Sequence, residues 1–196
     1  MRIGITLNEV VRDFIGQFTY TYNKYKKGEN LFNEVDLKER PIEEWDLLKY
    51  FNFDNIEELN KFLYTEASLE VFGHADQLHT NIIPKLNRFI SDMTDEEHEV
   101  VIISREADKS IPATFFFFTK IGLIANNFKF VTDTTKKWDY IDVLITANPK
   151  ALEAKPEGKI SVKVDATYNT DVDSDYAVET LMELFDNEEF LNKILD

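Results

Sequence analysis

The sequence predicts an α/β fold built on a parallel sheet, and three observations carry the prediction. Short apolar runs rich in β-branched residues recur at 2–5, 100–104, 128–131, 141–145 and 160–164. Helical patterns separate the later runs, and strands alternating with helices imply right-handed parallel crossovers. Between the first and second runs, 20–93 carries no strand pattern, so an all-helical segment is inserted there.

Taken in order, the first run ends at Thr6-Leu7-Asn8-Glu9, where a helix is expected over 10–25 on Val10, Val11, Phe14, Ile15 and Phe18. Lys26-Lys27-Gly28 suits a helix C-terminus, where cations oppose the macrodipole. A polar, turn-rich stretch follows over 29–40. Pro41 then opens a short amphipathic helix over 42–48. Asp54-Asn55 caps a further helix over 56–64, with Ile56, Leu59, Phe62 and Leu63 inward. A helical turn over 67–72 closes at Gly73, and a helix over 75–90 is expected to kink at Pro84. Strand two (100–104) leads through Arg105-Glu106-Ala107-Asp108 into a helix over 109–124. Its four phenylalanines, Phe115 to Phe118, cover every direction of the helix, which fits burial on several sides or an outward ring at a partner surface. Strands over 128–131, 140–145 and 159–164 follow, with a helical turn at 149–153. The stretch 172–195 is expected to be one or two helices, broken at Asn187.

Composition narrows the function classes. Of 196 residues, 43% are hydrophobic and 30% charged, the balance of a folded chain able to bury a sizeable core. A net charge of -15 repels nucleic acid and anionic membrane, so direct binding to either is not expected. Without cysteine there are no disulfides and no thiolate metal sites. His74 and His79 stand five apart, which is not the i, i+4 spacing of paired helical ligands, so surface histidines are expected. No segment reads as a membrane span or signal peptide, which points to a cytoplasmic protein or one incorporated in a virus particle.

Ligands of α/β sheets collect beyond the carboxyl ends of the strands, and there the chain resembles the haloacid dehalogenase-like (HAD) phosphatases. Their first motif is a hydrophobic strand ending Asp-x-Asp-Gly-Val; the same frame here reads Thr6-Leu7-Asn8-Glu9-Val10, with Asp13-Phe14 following. The second, a strand ending in Ser or Thr, matches Val101-Ile102-Ile103-Ser104-Arg105. The third, a lysine before the fourth strand, matches Lys136 or Lys137. The fourth, Asp-Val-Leu-Ile-Asp-Asp-x-Pro, reads Asp142-Val143-Leu144-Ile145-Thr146-Ala147-Asn148-Pro149. The order and spacing of the four motifs cover essentially the whole chain. They resemble most closely the deoxyribonucleotidase-like branch, which carries a small helical cap after strand one. The resemblance implies a HAD-like Rossmannoid sheet of about five strands, with the core at 1–19 and 94–196 and the cap at 20–93.

It also implies lost chemistry. The aspartate positions of nucleophile, acid–base and metal ligands are Thr6, Asn8, Thr146 and Ala147. A threonine without a base is a poor nucleophile, an amide shuttles no proton, and a hard cation wants charged oxygens. No catalytic residue, metal site or cofactor is therefore expected, and Ser104 with Lys136 or Lys137 is the residual anion-binding candidate. Each has a plainer reading: Thr6 and Asn8 as turn residues, Ser104 as a loop or helix cap. Asp171 to Asp175 has the look of a calcium loop but lacks its later glycine and glutamate. The expected function is an inactive HAD-like protein serving as a structural or interaction component among other proteins in a hetero-assembly, such as a bacteriophage virion. The alternatives are a metal-dependent nucleotide phosphatase using Glu9, Asp13 or Asp142, and a phosphate-ligand binder without turnover.

Overall fold

The computed structural model describes residues 1–28 and 32–195. Six strands form one all-parallel sheet: β1 (Arg2–Ile5), β2 (Glu99–Arg105), β3 (Phe128–Val131), β4 (Val143–Thr146), β5 (Ile160–Val164) and β6 (Tyr176–Val178). Their order is β3-β2-β1-β4-β5-β6, with Ile3 in register with Val100 on one side and Val143 on the other. Period-two alternation sorts the side chains. Ile3, Ile5, Ile102, Val143 and Ile145 join the larger core, while Val101, Ile103 and Leu144 meet Trp138, Ile141 and Ala151 on the opposite face. Gly4 faces that second layer; a Cβ there would stand 2.9 Å from Ile141 Cγ2, so the close approach of the chain requires glycine.

The helices are α1 (Phe14–Lys26), α2 (Ile56–Lys61), α3 (Ile82–Asp95), α4 (Ser110–Ile121), α5 (Pro149–Glu153), α6 (Leu181–Asp186) and α7 (Glu188–Leu195). Among the described residues, 20–93 contains no strand. Its helical turns pack with α1 in an aromatic cluster where the Phe18 ring lies 4.3 Å from Phe51 and 6.1 Å from Phe62. The chain leaves the sheet through Val11 to Asp13 and returns alongside it: Asp13 N–H donates to Asp76 O (3.0 Å) and Leu78 N–H to Val11 O (2.8 Å).

Several elements differ from the sequence expectation. The first helix starts at Phe14 rather than Val10, because the N–H groups of Val10, Val11 and Arg12 all converge on Leu7 O and Asp13 Oδ1 caps the helix at Gly16 N–H. The helix expected over 42–48 is one 3₁₀ turn, Leu47–Lys49; the N–H groups of Glu43 and Glu44 donate instead to Tyr50 Oη. Asn55 does cap α2, but Ile56 is exposed while Leu59 is buried. α2 widens into a π-helical turn at Phe62–Glu66, and a second such turn forms at Leu69–Gly73. α3 begins at Ile82, which places Pro84 in the first turn, where its missing N–H costs nothing and no kink is needed. The segment after Val172 opens with β6 before its helices, giving six strands instead of five. Of the polar stretch at 29–40, residues 29–31 lie outside the described residues; no helix or strand forms over 32–40.

Candidate functional site

The loop after β1 is wound around Leu7 O, which accepts from Val10 (3.2 Å), Val11 (2.9 Å) and Arg12 (2.9 Å). This tight winding needs a left-handed residue, and Glu9 supplies it at φ 59 despite its side chain. It also turns Arg12 into the protein, where the guanidinium is fully buried. Arg12 Nε and Nη2 donate to Asn8 Oδ1 (2.9 and 2.6 Å), Nη2 to Glu106 Oε1 (2.8 Å) and Nη1 to Thr114 Oγ1 (2.9 Å), with the Phe72 ring 4.8 Å away. Ser104 Oγ donates to the same Glu106 oxygen at 3.0 Å, while Glu106 Oε2 is buried without a hydrogen bond. One buried ion pair thus joins the loops after β1 and β2 to α4.

Beyond the strand ends lies a cavity of about 950 Å³, bordered by Thr6 and Asn8 from the β1 loop, Ser104 and Arg105 from β2, Lys137, and Asn148 after β4. Its lining is mixed: Leu59, Leu63 and Tyr64 from the inserted segment and Trp45 against Tyr168, ring centroids 4.7 Å apart, form an apolar and aromatic side, while Glu43, Glu44, Asp46, Asp133, Glu153 and Asp171 add acids to its border. Arg105 holds its side by donating Nη1 to Tyr64 Oη (2.9 Å) and Nε to Thr132 O (3.0 Å).

The strand-end positions singled out from sequence do come together, but as a closed polar floor. Thr6 Oγ1 donates to Thr146 Oγ1 at 3.1 Å, and Thr146 Oγ1 also accepts from Asn148 N–H. Asn8 is held by Arg12, and Ala147 is buried with its carbonyl accepting from Asn169 Nδ2 (2.9 Å). Ser104 spends its proton on Glu106, so it presents lone pairs rather than a donor. The two lysine candidates separate: Lys136 is exposed on the surface, whereas Lys137 is 4% exposed and borders the cavity. The Lys137 amine has no carboxylate within 4 Å and no hydrogen bond among the described residues, although the Lys137 carbonyl accepts from Tyr140 N–H. Burial lowers its pKa to about 8, against the attraction of Glu106 and with the repulsion of Arg105.

No family model matches the chain, and no curated protein is significantly similar to it.

The other acids considered from sequence lie away from this floor. Asp142 stands at the opposite end of the sheet, paired with Arg2 at 2.9 Å, which holds its carboxyl below the usual range. Asp13 caps α1, and Glu9 Oε1 accepts from Ile15 N–H at 2.8 Å; burial raises the Glu9 pKa to about 7. Among the described residues no group of three or more His, Asp or Glu is placed to share a metal ion. His74 is exposed and packs against the Phe116 ring. Of the four successive phenylalanines, Phe117 and Phe118 are buried, and Phe115 and Phe116 are each 44% exposed.

Sequence reasoning missed Arg12, Glu106, Thr134, Tyr168 and Trp45. Arg12 alone gave a signal, a single cation inside the apolar run Val10 to Phe14. Thr134 and Tyr168 carry buried hydroxyl groups without hydrogen-bond partners, and burial pushes the Tyr168 phenol up, the charge of Glu9 adding to the effect.

Proposed function

We propose that this chain is a catalytically silent HAD-like protein that serves as a non-enzymatic interaction component of a larger protein assembly, with a bacteriophage particle as the specific setting to test. One observation carries the reading: at the strand ends, where a HAD phosphatase keeps its aspartates, Thr6 and Thr146 hydrogen-bond to each other and Asn8 is bound by Arg12. A hydroxyl with no base beside it and an amide already bonded to a guanidinium supply neither nucleophile nor proton shuttle. The parallel order β3-β2-β1-β4-β5, the helical insert after β1, and a left-handed residue at the frame's glycine position support the family assignment. The half-exposed Phe115 and Phe116 with the exposed Leu69 and Ile124 support a protein-binding role.

The test is hydrolysis of a panel of deoxynucleoside monophosphates with Mg²⁺. The expected rate is background. Mg²⁺-dependent turnover above it would overturn the reading and favour a nucleotide phosphatase. A second reading, a phosphate-ligand binder without turnover, is favoured by Lys137, a buried cation at the cavity without a counter-ion within 4 Å. Inorganic phosphate would then raise the unfolding midpoint of the wild type and leave Lys137→Met unchanged.

A further inference from the structure

We propose that Lys137 is a nucleophilic amine that captures small aldehydes entering the strand-end cavity as a covalent imine, a modification site distinct from phosphate chemistry. Three features of its surroundings carry this. Lys137 is buried and borders a cavity of about 950 Å³ that has one apolar and aromatic side (Leu59, Leu63, Tyr64, Trp45 and Tyr168) and an acidic border, a lining suited to an aldehyde with an uncharged ring or chain rather than an anionic one. Its amine has no hydrogen-bond acceptor among the described residues. The one buried carboxylate that faces it, Glu106, is already paired with Arg12.

Burial disfavours the charged form of a lysine when no partner is close, and none is close here. Its amine is accordingly lowered to about 8, with Arg105 adding repulsion. Relative to an ordinary lysine near 10.4, this raises the free-amine fraction at pH 7 on the order of 100-fold. Desolvated lysines activated in this way form Schiff bases with carbonyl compounds.

The step balances without any other reactant. The nitrogen lone pair forms a bond to the carbonyl carbon as the C=O π bond breaks; the resulting carbinolamine then loses its C–O bond as the nitrogen closes the C=N π bond, and the two N–H protons of the amine leave with the oxygen as water. The inference rests on the surroundings of Lys137 and not on the HAD reading, so a phosphatase result leaves it standing and its own failure leaves that reading intact.

Lys136 is the built-in control, adjacent in sequence but exposed. The folded 196-residue chain is incubated at pH 7 with benzaldehyde and cyanoborohydride, which reduces an imine to a stable amine, and the adducts are mapped by peptide mass spectrometry. At low occupancy, Lys137 is expected to carry at least about ten times the adduct of Lys136, part of the 100-fold advantage being lost to access. In concentrated urea the preference is expected to vanish, since it belongs to the folded cavity. Equal labelling of the two lysines in the folded chain would overturn the proposal, as would a preference that persists in urea. The mapping uses the wild-type chain, so it does not depend on a variant folding.

Discussion

Replacing Arg12 with methionine removes the cation at the centre of the buried network and leaves an aliphatic side chain of similar reach. What remains is the Glu106 carboxylate, fully buried, with Oε1 supported only by Ser104 and Oε2 without a partner. Breaking a buried pair by deleting one member costs about 3–5 kcal/mol, because the surviving charge has no solvent to return to. Asn8 Oδ1 and Thr114 Oγ1 lose their donor as well, which places the expected cost at about 4–5 kcal/mol. For a chain of this size each kcal/mol lowers the unfolding midpoint by about 2–4 °C, so Arg12→Met should melt about 8–20 °C below the wild type. Scanning calorimetry measures the drop. The double variant Arg12→Met with Glu106→Leu removes the orphaned charge and should recover more than half of it. A loss under about 1 kcal/mol for Arg12→Met would refute the reasoning, and so would a double variant no more stable than the single one.

Three more predictions follow from the same geometry. Burial raises Glu9 from 4.5 to about 7, so between those values the folded chain holds a proton that the unfolded chain has released, and stability falls as pH rises through that window. Glu9→Gln keeps an oxygen for Ile15 N–H, so urea titrations should find it about 1–2 kcal/mol more stable than wild type at pH 8 and equal to it near pH 4.5; an advantage independent of pH would contradict this assignment. Gly4→Ala drives a Cβ to 2.9 Å from Ile141 Cγ2 and 3.3 Å from Ile103 Cγ2, and should cost about 1–3 kcal/mol in the same titrations, whereas a wild-type midpoint would mean that the sheet packs more loosely than described. Thr6→Asp with Asn8→Asp should leave Mg²⁺-dependent hydrolysis of p-nitrophenyl phosphate at background, because Ala147 and Thr146 bring no acid and an aspartate at position 8 would pair with Arg12; measurable turnover would show that two carboxylates suffice.

The central strands were legible because they are buried on both faces, which leaves unbroken β-branched runs such as Val100 to Ile103. β6 was not. Three residues at the sheet edge carry little pattern, and the strand is led in by Asp175, which accepts from Ser161 N–H (2.7 Å) and Oγ (2.9 Å), a contact only tertiary structure supplies. Val10 and Val11 have helical spacing yet are buried in a loop, since periodicity reports burial and not backbone conformation. At the site, Thr6, Ser104 and Lys137 could be picked out because strand ends are where α/β ligands collect. Lys136 and Lys137 could not be separated, as one step along a 3₁₀ turn exchanges surface for interior. The pairing of Arg12 with Glu106 spans 94 residues and no local pattern announces it.

The two hydrogen bonds between Val11–Asp13 and Asp76–Leu78 make the departure and return of the inserted segment immediate neighbours. A detour that starts and finishes at one point imposes no geometry on the sheet. The strand order is therefore indifferent to how long the detour is, and closure costs only about 0.6 kcal/mol for each doubling of its length. What ties the inserted segment to the sheet is therefore its packing, through residues such as Phe72 and Tyr64 beside Arg12 and Arg105, and not the path of the chain.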